Sequence, residues 1–121
     1  MRLTRSVCAR ADLTDTIKRL QAYEGAGADV LYAPGVRTAE EIRAIVDAVN
    51  VPVNVLATPG VPTVEELGKL GVGRVSIGGA FGYVAYGAAA DAARELLDKG
   101  TYGFWDRVGP GAQVTKAALS D

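Results

Sequence analysis

Residues Val51 to Gly79 read VPVNVLATPGVPTVEELGKLGVGRVSIGG, and this stretch decides the fold. Val51–Ala57 is an apolar run of strand length, broken by Pro59-Gly60. Thr63-Val64-Glu65-Glu66 follows, a pattern in which Thr63 caps the Glu66 amide while Glu66 reaches back to Thr63. Val64, Leu67 and Leu70 line one side of the short helix so begun, and Gly71 stops it. A second strand, Arg74–Ile77, ends at Gly78-Gly79. Strand, helix and strand in this order, with both strands apolar on both faces, predict parallel pairing in a covered sheet.

The same unit repeats on both sides. Upstream, Asp29–Ala33 is a strand that turns at Pro34-Gly35. Thr38-Ala39-Glu40-Glu41 repeats the capping box, and Ile42, Ile45, Val46 and Val49 form the apolar face behind it. Further upstream, Ser6–Ala9 reads as a strand and Leu13–Gly25 as a helix striped by Leu13, Ile17 and Leu20, closed by Gly25-Ala26-Gly27. Downstream, a helix runs from Ala80 to Lys99 and ends at Gly100. The strand centres near Val7, Leu31, Asn54 and Val75 are evenly spaced, the rhythm of a barrel built from βα units. The reading is α/β, with four βα units and parallel strands forming half of a TIM-like (β/α)8 barrel over residues 1–103. Residues 104–121 are expected to be an irregular tail, broken at Pro110-Gly111, with a helical turn or two at Gln113–Leu119. A doubly wound sheet is the alternative that periodicity leaves open. In simple strand order, right-handed crossovers put every helix on one face and leave the other bare, so the chain is expected to need a partner.

Composition narrows the chemistry. The chain has 121 residues, with 13 basic side chains against 14 acidic ones, so no field draws in nucleic acid or an anionic membrane. No apolar run is long enough to span a bilayer, and Met1–Arg5 is not followed by the apolar core of a signal peptide. Cys8 is the single cysteine, which excludes an internal disulfide and suits a cytoplasmic protein. Histidine is absent, so Ser–His and Cys–His dyads and histidine-ligated zinc are excluded. Chemistry must come from carboxylates, Arg, Lys, Tyr, backbone amides or a cofactor.

Ligands of parallel α/β sheets gather at the carboxyl ends of the strands. Arg10 follows the first strand and can grip a carboxylate or phosphonate through two parallel hydrogen bonds, or pair with Asp12 or Asp15 at the surface. Asp12 reads best as a helix cap. Asn54 is the one polar side chain within Val51–Ala57 and must find hydrogen-bond partners, in a pocket or in a structural network. Ser76, Gly78 and Gly79 sit where a strand opens into a helix, which exposes backbone amides to an anion. Gly71-Val72-Gly73 precedes its strand and is no dinucleotide fingerprint. Cys8 and Asp29 read as structural, and Tyr83 and Tyr86 as packing or interface residues.

Several segments carry a family resemblance. Ala9-Arg10-Ala11-Asp12 resembles the Ala-Arg-Thr-Asp closing the fifth barrel strand of the isocitrate lyase / phosphoenolpyruvate mutase family, of the carboxyphosphonoenolpyruvate phosphonomutase and 2-methylisocitrate lyase type. Ile17-Lys18-Arg19 to Ala22-Tyr23 and Ala26-Gly27-Ala28-Asp29 resemble its next helix and sixth strand. Pro52–Leu56 resembles the seventh strand and Leu70–Gly78 the eighth, in an ordered match from about Ser6 to Gly103. The resemblance implies Mg2+-assisted cleavage or rearrangement of C–C or C–P bonds beside a 2-oxo acid, with the metal stabilising the developing oxyanion. It implies substrate binding by Arg10, and by Asn54, Ser76, Gly78 and Gly79 near the pocket. The family's acidic Mg2+ cluster and its mobile lid belong to the other half of the barrel, and Ala11 replaces the usual Thr. The expectation is therefore a truncated or half-length family protein with no catalytic or metal-binding residue of its own and no cofactor in this chain. It would pair with itself or with a separate N-terminal half barrel and bind a small carboxylate or phosphonate. A split lyase or mutase subunit, and a small anion-binding scaffold, are the alternatives.

Overall fold

The computed structural model describes residues 12–119. The strand read at Ser6–Ala9, Cys8 and Arg10 lie outside the described residues. The described chain divides after Gly78 into two compact units.

In the first unit, Asp12 caps helix α1 (Leu13–Gly25) by accepting a hydrogen bond from the Thr14 amide at 3.1 Å. This is the cap expected of an aspartate before an apolar stripe. Strand β1 is only Leu31–Tyr32, shorter than the expected Asp29–Ala33 because pairing stops there. Helix α2 (Ala39–Asp47) and helix α3 (Val64–Lys69) both open on complete capping boxes, Thr38 with Glu41 and Thr63 with Glu66. Between them lies β2 (Val53–Leu56), and β3 (Arg74–Ser76) closes the sheet.

The sheet is parallel in the order β1-β2-β3, with Leu31 opposite Val53, Asn54 opposite Arg74 and Leu56 opposite Ser76. Across these three strands the order is sequential, without the reversal that marks the switch point of a doubly wound sheet. Its faces follow from strand alternation. Leu31, Val53, Val55 and Val75 lie on one face and pack with Leu20 of α1, Ile42 and Ile45 of α2 and Leu67 of α3. Leu31, Ile42, Ile45 and Leu67 are each 1% exposed and anchor the core. The helices are also tied to one another. Gln21 Nε2 donates to the Ala48 carbonyl at 2.9 Å, and Arg43 Nη2 to that of Lys69 at 3.1 Å. The opposite face carries Tyr32, Asn54, Leu56, Arg74 and Ser76, which take no part in these apolar clusters.

The second unit is helical. Helix α4 (Ala80–Lys99) ends at Gly100, whose φ of 63° is the left-handed stop that glycine tolerates. Glu95 accepts hydrogen bonds from Thr101 Oγ1 and the Gly103 amide, fastening the turn that follows. The expected irregular tail is instead ordered into a 3₁₀ turn, Gly103–Arg107, and a helix α5, Val108–Leu119. Pro110 does not break the chain because it falls in the first turn of α5, where a helix needs no amide donor. No described helix is long and apolar enough to cross a membrane.

Candidate functional site

The polar residues of the sheet converge on one side chain. Asn54, in the middle of β2, is 4% exposed and is the only buried polar residue among those described. Its Oδ1 accepts a hydrogen bond from Arg74 Nη1 at 3.0 Å. Its Nδ2 donates to Ser76 Oγ, also at 3.0 Å. Strand register makes this possible: Arg74 is the direct neighbour of Asn54 across the ladder, and Ser76 lies two residues further along the same face. A buried amide must be satisfied, and here both of its ends are.

Asn54 and Ser76, two of the candidate site residues, are thus brought together by the pairing of β2 and β3. Ser76 is the last residue of β3, at the carboxyl edge of the sheet. Gly78 follows with φ 55°, in the left-handed region, and a Cβ there would meet Leu56 Cδ1 at 3.6 Å. Gly79 begins the second unit as the N-cap of α4, with no side-chain cap hydrogen bond; a Cβ on it would meet the Tyr83 ring at 3.3 Å. Arg10 lies outside the described residues.

Arg74 was not foreseen. A signal was present: a charged residue opens an otherwise apolar strand on the same parity as Ser76. Among the described residues the Arg74 guanidinium has no carboxylate within ion-pair distance, unlike Arg19, Arg43 and Arg94. It is therefore a cation with donors to spare beside a buried amide and a strand-end hydroxyl.

The perturbed carboxylates lie elsewhere. The Thr38 amide holds Glu41 below the ordinary glutamate value, and the Thr63 amide does the same for Glu66. Thr101, then Gly103, lowers Glu95. All three are acceptors in caps or turns, which accounts for the shifts without chemistry. An open groove lined by Ala39, Val61, Pro62, Glu66, Lys69 and Leu70 has its charges already partnered, Glu66 by Thr63 and Lys69 by Glu65. No group of three or more His, Cys, Asp or Glu gathers among the described residues. That donor set does not fit a divalent cation.

Comparison with known proteins identifies the family of the chain. A family model described as phosphoenolpyruvate phosphomutase matches residues 3–97. An uncharacterized protein of Mycobacterium tuberculosis is 41% identical over 88 residues, which are 73% of this chain and 34% of that protein. An oxaloacetate decarboxylase of Paraburkholderia xenovorans is 40% identical over 47 residues, 39% of this chain and 16% of that one. Among solved structures, a lyase/mutase from Burkholderia cenocepacia J2315 superposes with a TM-score of 0.80 at 46% identity, covering 93% of this chain and 41% of that one. An oxaloacetate acetylhydrolase in complex with oxalate gives 0.64 at 25% identity, covering 88% and 43%. The match therefore spans less than half the length of each of these relatives.

Proposed function

Because this chain belongs to the phosphoenolpyruvate phosphomutase family, we propose that it supplies the part of a lyase or mutase barrel that holds a substrate carboxylate. In this reading the strand at Ser6–Ala9 joins the three described strands. Four parallel βα units then form half of a (β/α)8 barrel, whose lumen is the face of Asn54, Arg74 and Ser76. The relatives' coverage and the single-sided helix packing support it.

One observation carries the proposal: a buried asparagine tied to a serine hydroxyl at the carboxyl edge of the sheet, on the face free of α1, α2 and α3. Hydroxyl and backbone donors at that edge suit an anionic oxygen. Ser76 and the backbone at Gly78 bind one carboxylate, and Arg10 is assigned to the other end of the ligand. Substrates of the 2-oxo dicarboxylate class fit this arrangement. Relatives named for oxaloacetate, and one solved with oxalate, support the choice.

The described residues gather no carboxylate cluster that would hold Mg2+. Family catalysis calls for metal ligands and a lid from another segment, supplied by a separate N-terminal half or by another copy. The exposure of Phe81, Tyr83, Val84 and Tyr86 on α4, each above 70%, supports a chain that is completed by a partner.

The test is thermal unfolding of the chain with and without oxalate or oxaloacetate. Binding at a hundred times Kd stabilises by about 2.7 kcal/mol. A rise in Tm that Ser76→Ala abolishes supports the reading. No shift with either ligand refutes it. Co-expression with the N-terminal half of a relative is expected to yield Mg2+-dependent lyase or mutase activity.

A further inference from the structure

Arg74, Asn54 and Ser76 form a chain of hydrogen bonds with a direction. A guanidinium only donates, so the Asn54 atom facing it must be the carbonyl oxygen. This fixes an amide orientation that is otherwise free to flip. The amide nitrogen then faces Ser76 and, as a donor only, must give its hydrogen to Oγ. Ser76 is thereby cast as acceptor toward the protein. Its own proton has no acceptor among the described residues.

We propose that Arg74 is a positioning residue, acting through the buried Asn54 amide to set the polarity of the Ser76 hydroxyl so that it offers its proton to a ligand carboxylate. This rests on the reading of Ser76 as a carboxylate ligand and adds a source for its selectivity. A ligand atom at Ser76 is best matched when it is a pure acceptor, as in an ionised carboxylate. A donor such as an amide N–H finds no matching partner in that proton. The cation at the start of the chain also raises the positive potential of the site, but the directional effect is separate from the charge.

Variants separate the two. Arg74→Met removes the cation and frees the amide to flip. Arg74→Lys restores a donor-only cation. Asn54→Asp is nearly isosteric, neutralises Arg74, and offers an acceptor to Ser76 that turns the hydroxyl proton inward. Arg74→Met and Asn54→Asp each lower the charge of the cluster by one, so they are matched in charge and differ in hydrogen-bond polarity. Oxalate affinity is read by calorimetry at constant salt, with far-UV circular dichroism and Tm reporting the fold of each variant.

The expected order is wild type and Arg74→Lys close together, Arg74→Met about tenfold weaker, and Asn54→Asp and Ser76→Ala weaker still, in line with the loss of a hydrogen bond to a charged group. Wild-type affinity in Arg74→Met overturns the proposal. Equal losses in Arg74→Met and Arg74→Lys also overturn it, since Arg74 would then touch the ligand directly. So does Asn54→Asp binding as well as Arg74→Met. In each of these outcomes wild type still binds oxalate and Ser76→Ala binds it more weakly, so the carboxylate-site reading stands. Failure of the wild-type chain to bind overturns both.

Discussion

Gly71→Ala isolates a packing constraint that the turn before β3 imposes. Gly71 has φ 88°, and a Cβ built there lies 3.0 Å from Val46 Cγ1 of α2. Two costs add. A left-handed backbone costs a non-glycine residue about 1–2 kcal/mol. Pressing a methyl against the Val46 side chain, which must give way to admit it, costs about 1–3 kcal/mol. Gly60 is the control, because its φ of 90° is the same and nothing lies within 4 Å of its Cβ. Both substitutions stiffen the unfolded chain alike, by about 0.4–1 kcal/mol, so that contribution cancels in the comparison. Gly71→Ala is therefore expected to be less stable than Gly60→Ala by the contact alone, about 1–3 kcal/mol. The assay is urea unfolding followed by far-UV circular dichroism. For a slope near ~2 kcal/mol/M the midpoints separate by roughly 1 M. Val46→Ala deletes the opposing methyl group, and its combination with Gly71→Ala is expected to recover most of that difference as a coupling energy. Equal stability of the two glycine variants, or zero coupling with Val46, refutes the reasoning.

Other outcomes follow from the caps and the core. Leu67→Ala, at a side chain 1% exposed between α3 and the sheet, should cost about 2–5 kcal/mol in the same urea assay. Thr63→Ala removes the acceptor for the Glu66 amide and should cost about 1 kcal/mol. The folded-state pKa values of Glu41, Glu66 and Glu95 are lowered from 4.5. Their contribution to stability is present above that value and is lost as pH falls through the lower folded values. Tm should fall on acidification below about 4.5, and Glu41→Gln with Glu66→Gln should flatten that fall.

Much of the chain from α1 to α4 was legible because its signals are local. The bounds of Leu13–Gly25 and Ala80–Lys99 follow from an aspartate cap, a diglycine turn and Gly100. Both capping boxes were written in four residues each. The tail is helical over more residues than the expected turn or two at Gln113–Leu119, for an equally local reason. Pro110 looked like a breaker, but its effect depends on where the helix starts, and Val108 starts it two residues earlier. Strand lengths were overestimated at β1 because pairing, not apolarity, ends a strand.

The sequence by itself determined the order and type of the elements from α1 to α4, the caps, and the presence of one lone asparagine in an apolar strand. These depend on neighbours a few residues apart, and side-chain chemistry states them directly. Only the tertiary structure decided what that asparagine does. Arg74 lies 20 residues from it and Ser76 lies 22. They meet because β2 and β3 pair in one register, and a slip of one residue would turn Arg74 and Ser76 to the helix-packed face. Strand order likewise set which face α1, α2 and α3 cover. Register and strand order are properties of the assembled sheet, fixed by the joint burial of Leu31, Val53, Val55 and Val75 against three helices.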